Sequence, residues 1–193
     1  MQKLRMKVGL SMQMGKKYGV NFGSTGFTLI EMIITLVLIT IFATIAIPSY
    51  RGIMQSMRVS ALSNDFIAAL AFARAEAVKR NNYVSICPAA DSTFSTCGTS
   101  SSWANGWIVF VDVNNNGIIA SSSNILKTHD ALIAGSTIVT TLNYVEYNRS
   151  GFLGSTAGSL TLTVPGCTGN SAVLITLSIT GWASVTQTAC TMA

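Results

Sequence analysis

The chain has 193 residues, of which 49% are hydrophobic and 10% are charged, and its mean hydropathy is +0.48. This length allows one domain and one additional element, but not two full cores. The formal charge of +5 would suggest nucleic-acid binding, yet five of the 12 basic residues, and no acid, lie before residue 27. The other seven bases balance all seven acids, so the chain beyond residue 26 is electrically neutral. Its basic character therefore belongs to the first 26 residues.

Residues 27–47 form an apolar run, FTLIEMIITLVLITIFATIAI, with Glu31 as its single charge. A helix of this length reaches across a hydrocarbon layer of about 30 Å. A secretory signal peptide would have a shorter run and a small-residue cleavage site. Pro48, Ser49, Tyr50 and Arg51 follow instead. The positive residues precede the run, so the positive-inside rule places residues 1–26 in the cytoplasm and exports the rest.

Glu31 is unusual because a carboxylate inside a membrane helix costs a few kcal/mol when it faces lipid without a partner. One interpretation places it near the membrane surface, where the positive end of the helix dipole favours an acid. The other gives it a specific partner. The residues around it favour the second.

The segment Gly26-Phe27-Thr28-Leu29-Ile30-Glu31 resembles the processing site of type IV prepilins and type II secretion pseudopilins. The resemblance implies that prepilin peptidase cuts between Gly26 and Phe27 and methylates the new amino group of Phe27. It also implies that Glu31 helps a subunit dock against the N-terminus of its neighbour. Residues 1–26 would then be a leader that is removed.

Beyond the apolar run, residues 48–81 predict an amphipathic continuation of the helix. Pro48 should kink or loosen the helix, since it lacks an amide hydrogen. Apolar residues nevertheless recur afterwards at spacings of three and four. They are Val59, Leu62, Phe66, Leu70, Ala73 and Ala77. We expect the helix to run from about Phe27 to about Arg80, with Asn81 and Asn82 ending it.

The stretch AFARAEAVKR at residues 71–80 resembles the end of the long helix in the GspH/FimT family, which includes minor pilins of the FimT/FimU kind. The residues that follow resemble the same family: VSICP at 84–88, Cys97, and WANGWIVFVD at 103–112. The resemblance is clear from about Gly26 to Asp112 and weaker beyond. It implies a β-rich globular domain packed against the helix.

The residues independently predict strands, because short β-branched and aromatic runs alternate with Gly, Asn, Ser and Pro. The predicted strands are 83–87, 107–111, 138–141, 142–147, 159–164 and 172–179. The predicted fold class is α+β: a long N-terminal helix, membrane-spanning first and amphipathic second, packed on an antiparallel β-rich domain at residues 82–193.

Four cysteines are present, and none belongs to a C-x-x-C pair. Zinc sites usually use such pairs together with histidine, and His129 is the one histidine of the chain. Two disulfides in an oxidising compartment are the better interpretation. Three pairings are possible, and we favour Cys87–Cys97, a short local loop, with Cys167–Cys190, which would fix the C-terminus.

Asp112, Asn114 and Asn116 precede Gly117 with the alternate spacing of a calcium loop, but Ser123 stands where the bidentate glutamate should be. An Asn/Gly hairpin turn explains the same residues and is favoured. No catalytic constellation is evident, so neither an enzyme nor a cofactor is predicted. His129 is expected in a surface loop, and Trp107 in the core or, with Trp103, in an aromatic contact patch.

Some FimT-like pilins take up DNA, and that resemblance would require a Gly-Arg-x-Arg-like motif near the C-terminus. This chain has Gly181-Trp182-Ala183-Ser184 there, and no basic residue after Arg149. Phosphate contacts depend on Lys and Arg, so DNA binding through the C-terminal region is disfavoured.

The predicted function is that of a minor pilin in the initiation or tip of a type IV pilus, with a DNA-binding minor pilin or a type II secretion pseudopilin as alternatives. The predicted partners are prepilin peptidase, other minor pilins, the major pilin and the inner membrane. The chain would cross that membrane once, with its head in the periplasm, before joining a pilus or pseudopilus.

Overall fold

The computed structural model of the chain describes residues 26–154 and 157–190. Within them the chain forms one long helix and eight strands, which build two four-stranded antiparallel sheets. The chain divides into two compact units between Ala43 and Thr44. The first contains the start of the helix, and the second contains the rest of the helix and every strand. The predicted α+β class is confirmed.

Helix α1 covers Leu29–Arg80 and runs through position 48. In its second half the predicted apolar stripe is buried, apart from Leu62, which is half-buried. The helix ends as the two asparagines predict: Asn81 adopts a φ of +50°, and its amide donates to the Val78 carbonyl (3.3 Å). The Asn82 amide donates to the Ala77 carbonyl (3.2 Å). These bonds form a Schellman motif, in which a left-handed residue closes the last turn.

The first sheet has the order β3-β2-β1-β5. Its strands are β1 (Val84–Pro88), β2 (Trp107–Val111), β3 (Ile125–His129) and β5 (Val145–Tyr147). All five residues of β1 are buried. One face of the sheet joins the main core with the helix, and the other covers a small cluster of Cys87, Ala89, Ile108 and Phe110. Burial on both faces explains why β1 and β2 read as continuous apolar runs.

The second sheet has the order β4-β6-β7-β8. Its strands are β4 (Thr137–Val139), β6 (Gly158–Thr163), β7 (Ala172–Leu177) and β8 (Ala183–Thr188). The expected alternation holds in β6, where Leu160 and Leu162 are fully buried while Thr161 is half-buried. These leucines enter the same core as Phe66 of α1 and Trp107 of β2. One core therefore joins both sheets to the second half of the helix.

The sequence misplaced two parts of this fold. It predicted a strand from residue 142, but β5 begins at Val145. The Leu142 carbonyl instead accepts from the Trp103 indole (2.9 Å), and the Asn143 side chain accepts from the Ser100 amide (2.9 Å). The sequence also gave no sign of β3 or β8. The prediction of a surface loop at His129 was wrong, because this residue ends β3.

Candidate functional site

The segment around the predicted processing site forms the N-terminus of α1. The Glu31 amide donates to the Thr28 hydroxyl (3.3 Å), and the Met32 amide donates to the Thr28 carbonyl (3.2 Å). Thr28 thus caps the helix, and Glu31 occupies the position of the acid in a T-x-x-E capping box, where the helix dipole favours a negative charge. The Glu31 carboxylate has no ion-pair partner among the described residues. Residues 1–25, which hold most of the predicted leader, lie outside the described residues.

The apolar start of α1 is uncovered. Most large side chains from Phe27 to Ile47 are at least half exposed, and Phe27 itself is 76% exposed. The mean hydropathy of its most apolar 18-residue window is 2.6, and none of that window is buried by the described chain. A surface this apolar is typical of a lipid or protein environment, and the described residues do not provide one.

Two disulfides hold the globular domain. Cys87 pairs with Cys97, and Cys167 pairs with Cys190, with Cα–Cα distances of 5.6 and 5.7 Å. This is the pairing that the sequence favoured. Cys87 is fully buried in β1, so its bridge ties the loop after β1 to the core. The second bridge joins the chain after β8 to the loop after β6.

The candidate calcium loop is a hydrogen-bonded turn after β2. Both oxygens of the buried Asp112 carboxylate are occupied: Oδ1 accepts from the Asn116 amide (3.1 Å), and Oδ2 accepts from the Gly117 amide (2.7 Å) and the Ser85 hydroxyl (3.0 Å). The Asn116 side chain accepts from the Ile118 amide (3.0 Å). The hairpin turn therefore explains Asp112 and Asn116 without a cation. Asn114 was the third candidate ligand, and calcium binding by these three residues stays a prediction.

A second buried acid, Glu146 of β5, lies near this turn and was not singled out by the sequence. It is 3% exposed, and the Asn115 amide, oriented with its nitrogen toward the carboxylate, donates to Oε1 (2.8 Å). Burial, and to a smaller extent the charge of Asp112, raises the pKa of the Glu146 carboxyl above its ordinary value. Among the described residues, Glu146 and Asp112 do not belong to any group of three or more side chains that could together hold a metal ion.

The aromatic residues form the centre of the core. The Phe66 ring makes edge-to-face contacts with Trp103 and Trp107, at centroid distances of 5.6 and 5.1 Å. The His129 ring stacks on Trp107 at 3.8 Å, and its Nε2 lies 3.8 Å from an Asp65 carboxylate oxygen. Both tryptophans are buried, so they form core rather than the alternative aromatic contact patch.

The turn between β7 and β8 occupies the position where the DNA-binding motif was sought. Gly181 adopts a φ of +82°, and its amide donates to the Ser178 carbonyl (2.8 Å). Trp182 is 68% exposed, and the Arg74 guanidinium of α1 lies 4.6 Å from the centre of its ring. The sequence found no arginine in this region because Arg74 comes from a distant part of the chain. The turn therefore presents one exposed aromatic side chain with a cation over its ring.

Two protein-family models match separate parts of the chain. Residues 22–47 match the prokaryotic N-terminal methylation motif, and residues 62–181 match the type II transport protein GspH. The first match contains Gly26, Phe27 and Glu31. The second covers more than half of the chain and most of its globular domain. A search of curated protein sequences gives no match.

Two crystal structures of the type IV minor pilin FimU from Pseudomonas aeruginosa resemble the chain. The structure in space group P21 has a TM-score of 0.50 and 20% identity, and the match covers 66% of this chain and 87% of FimU. The structure in P65 has a TM-score of 0.49 and 21% identity, and covers 66% and 91%. The first likeness supports the pilin fold. The match to the GspH model over more than half of the chain shows that the chain belongs to the GspH family, and the N-terminal methylation motif at residues 22–47 agrees with this.

Proposed function

We propose that this chain is a minor pilin that enters a type IV pilus through α1 and takes part in initiating the pilus or forming its tip. The observation that carries the proposal is the uncovered apolar run of residues 27–47, which begins at the methylation motif. In this proposal residues 1–26 are the leader, residues 27–47 span the inner membrane, and residues 82–193 form the periplasmic head. Other minor pilins and the major pilin are its partners in the filament.

The apolar run fits both stages of this path. Its helical part, from Leu29 to Ile47, is about 28 Å long, which matches the hydrocarbon layer of a membrane of about 30 Å. After extraction from the membrane, the same surface requires the apolar helices of neighbouring subunits. The exposed side chains from Phe27 to Ile47 thus have an environment in the membrane and another in the filament.

Processing creates the group that Glu31 needs. Cleavage between Gly26 and Phe27 leaves a positively charged amino group on Phe27. A neighbour's amino group placed against the Glu31 carboxylate replaces an unpaired buried charge with an ion pair. An unpaired acid costs about 3 kcal/mol at the centre of a membrane helix and less near its end, where Glu31 lies. The sign of this cost is the same, so pairing with the ammonium group favours docking of the subunits.

Intact-mass measurement of the full chain, produced with and without active prepilin peptidase, tests the processing step. The expected product lacks residues 1–26 and carries one methyl group on Phe27, and a Gly26→Val variant keeps the leader. Full-length chain recovered unchanged in the presence of an active peptidase would refute the proposal.

A second measurement tests the docking role of Glu31. The Glu31→Gln variant should be cleaved normally but should be lost from sheared filaments, because it cannot pair with an ammonium group. Asp65→Asn serves as the control, since it removes an exposed acid from the same helix outside the apolar run. Equal recovery of both variants in filaments would contradict the docking role.

A type II secretion pseudopilin is the second candidate, because the model that covers residues 62–181 bears the name of the type II transport protein GspH. Deletion of the gene separates the two candidates. Loss of surface pili with normal secretion of exported enzymes supports the pilus, and the opposite result supports the secretion system.

A further inference from the structure

A groove lies between α1 and the loop after β6, directly beyond the apolar run. Its volume is about 700 Å³, and its lining includes Ile47, Tyr50, Arg51, Gln55 and Arg58 from the helix and Gly166 from the loop. None of the lining residues is acidic. The groove therefore combines an apolar end at Ile47 with two positive charges.

Arg51 and Arg58 differ from the other cations that the structure describes. Lys79 and Arg80 pair with Glu76, Arg74 lies over Trp182, Lys127 faces Phe72, and Arg149 faces Tyr83. Within residues 26–154 and 157–190, the side chains of Arg51 and Arg58 have no hydrogen bond, ion pair or ring contact. The two cations without a partner thus line the same groove.

Gln55 lies between the two arginines and supplies an independent observation. It is 7% exposed, and its side-chain nitrogen is buried without an acceptor among the described residues. A buried donor of this kind destabilises the protein unless an acceptor reaches it. Positions 51, 55 and 58 lie on one face of the helix, four and three residues apart. All three side chains line the groove, and a group that only accepts hydrogen bonds is a suitable partner for them.

The position of the groove identifies the source of that group. Arg51 is four residues beyond Ile47, which is about 6 Å along a helix and within the headgroup layer of a bilayer. Arg58 is about 16 Å beyond Ile47, but side chains on a helix point toward its N-terminus, here toward the membrane. Tyr50, which is 63% exposed, has the amphipathic character of residues at a membrane surface.

We propose that this groove binds the phosphate group of an anionic phospholipid in the leaflet next to the globular domain. Arg51 and Arg58 neutralise the phosphate charge, Gln55 donates to one of its oxygens, and Ile47 contacts the start of the acyl chains. The inference rests on the proposed function, because residues 27–47 must be in the membrane for the lipid to reach the groove.

Native mass spectrometry of the processed full-length chain in a neutral detergent tests this site. Phosphatidylglycerol and phosphatidylcholine with identical acyl chains are added together, and preferential retention of phosphatidylglycerol is expected. Each arginine near an anionic membrane surface contributes about fivefold, so Arg51→Gln/Arg58→Gln should weaken retention roughly 25- to 30-fold. Gln55→Leu keeps the charge but removes the donor, and should weaken retention by about tenfold.

The matched control is Lys127→Gln/Arg149→Gln, which removes the same charge away from the groove and should bind as the parent chain does. Equal retention of the two lipids, or an unchanged Arg51→Gln/Arg58→Gln variant, would overturn the inference. Inorganic phosphate at the same concentration should not displace phosphatidylglycerol, since it has no acyl chains to contact Ile47. Displacement by phosphate would show that a free anion is the ligand, and would equally overturn it.

Extraction of membranes with alkaline carbonate separates this inference from the proposed function. A chain that is released by carbonate is not membrane-spanning, which refutes the proposed anchoring whatever lipid it retains. A chain that resists carbonate but shows no preference for phosphatidylglycerol refutes the lipid site alone.

Discussion

Strand β8 depends on the disulfide that follows it. The strand pairs with β7 along its whole length, but its four middle residues are exposed, so it buries little apolar surface. Cys190, two residues beyond β8, is bonded to Cys167, and its amide donates to the Gly169 carbonyl (2.9 Å). Replacing both cysteines by serine should therefore release the C-terminal strand as well as lower the overall stability.

The magnitude follows from the length of the closed loop. For the sequence separation of 23 between Cys167 and Cys190, the chain-entropy relation gives about 3.4 kcal/mol at 25 °C. For the separation of 10 between Cys87 and Cys97, it gives about 2.7 kcal/mol. The loss of free energy of unfolding should therefore be slightly larger for the Cys167 bridge by entropy alone. Cys87 is fully buried, so its replacement also removes packing contacts in the core. This additional loss makes the free energies of unfolding of the two variants more similar.

Urea unfolding of the processed chain in detergent, followed by far-ultraviolet circular dichroism, measures these losses. Hydrogen exchange then separates local from global effects. In Cys167→Ser/Cys190→Ser, the amides of β8 should lose protection before those of β1. In Cys87→Ser/Cys97→Ser, the loop after β1 should lose protection while β8 keeps it. Retained protection in β8, together with a loss below about 1 kcal/mol, would refute the role given to the Cys167 bridge.

Three further substitutions test the core and the turns. Phe66→Leu should lower the free energy of unfolding by about 1–3 kcal/mol, because two edge-to-face contacts are lost. The control Phe152→Leu, at an exposed site, should have little effect in the same urea titration. Glu146→Gln should stabilise the protein at pH 7. This gain in free energy of unfolding should shrink as the pH falls from the raised pKa of Glu146 toward the ordinary pKa of a glutamate, because the folded wild type then takes up a proton. Urea titrations at several pH values measure the gain. A gain that does not depend on pH would contradict the burial of an ionised carboxylate. Gly181→Ala should destabilise the protein by about 1–3 kcal/mol, since φ is +82° and the new Cβ would lie 2.3 Å from the Gly151 carbonyl oxygen. The control Gly52→Ala, at a helix position with open space around it, should stabilise the protein by up to about 1 kcal/mol. Equal melting temperatures of the two variants would contradict the strain at Gly181.

The parts of the fold that could be predicted are those whose residues are buried in a regular pattern. The stripe from Val59 to Ala77 predicted which face of α1 packs, and Asn81 predicted where the helix ends. Strands β1, β2, β6 and β7 carry apolar residues because one or both faces enter a core. Their limits were off by a residue or two at most, because pairing rather than composition sets the ends of a strand.

Strands β3 and β8 could not be predicted because they are edge strands without a buried apolar pattern, whereas the edge strands β4 and β5 each carry buried apolar residues. The sequence ASVTQT of β8 is polar and mostly exposed, and ILKTH of β3 has no fully buried residue. Such strands form because a neighbour presents free backbone groups, which is a property of the assembled sheet rather than of the strand. His129 was misjudged for the same reason, since its ring is placed by Trp107 of the neighbouring strand.

The candidate sites divide in the same way. Gly26, Phe27 and Glu31 form a local motif, so the sequence alone is enough to propose them as a processing and docking site. The groove at Arg51, Gln55 and Arg58 required the loop after β6, which is more than a hundred residues away in the chain. Helical spacing alone places these three residues on one face, but it does not show that Gln55 is buried without an acceptor.

The charged residues of α1 connect these two sites. From Asp65 to the end of the helix, each charged side chain has a partner within the domain: His129 for Asp65, Trp182 for Arg74, and Glu76 for both Lys79 and Arg80. Glu31, Arg51 and Arg58 have none among the described residues. Glu31 lies inside the apolar run, where exclusion of water makes an ion pair most favourable, and the exposed Arg51 and Arg58 follow the run in the same helix. In the two proposals made above, the partners come from other molecules: the amino group of a neighbouring subunit for Glu31 and a lipid phosphate for the two arginines.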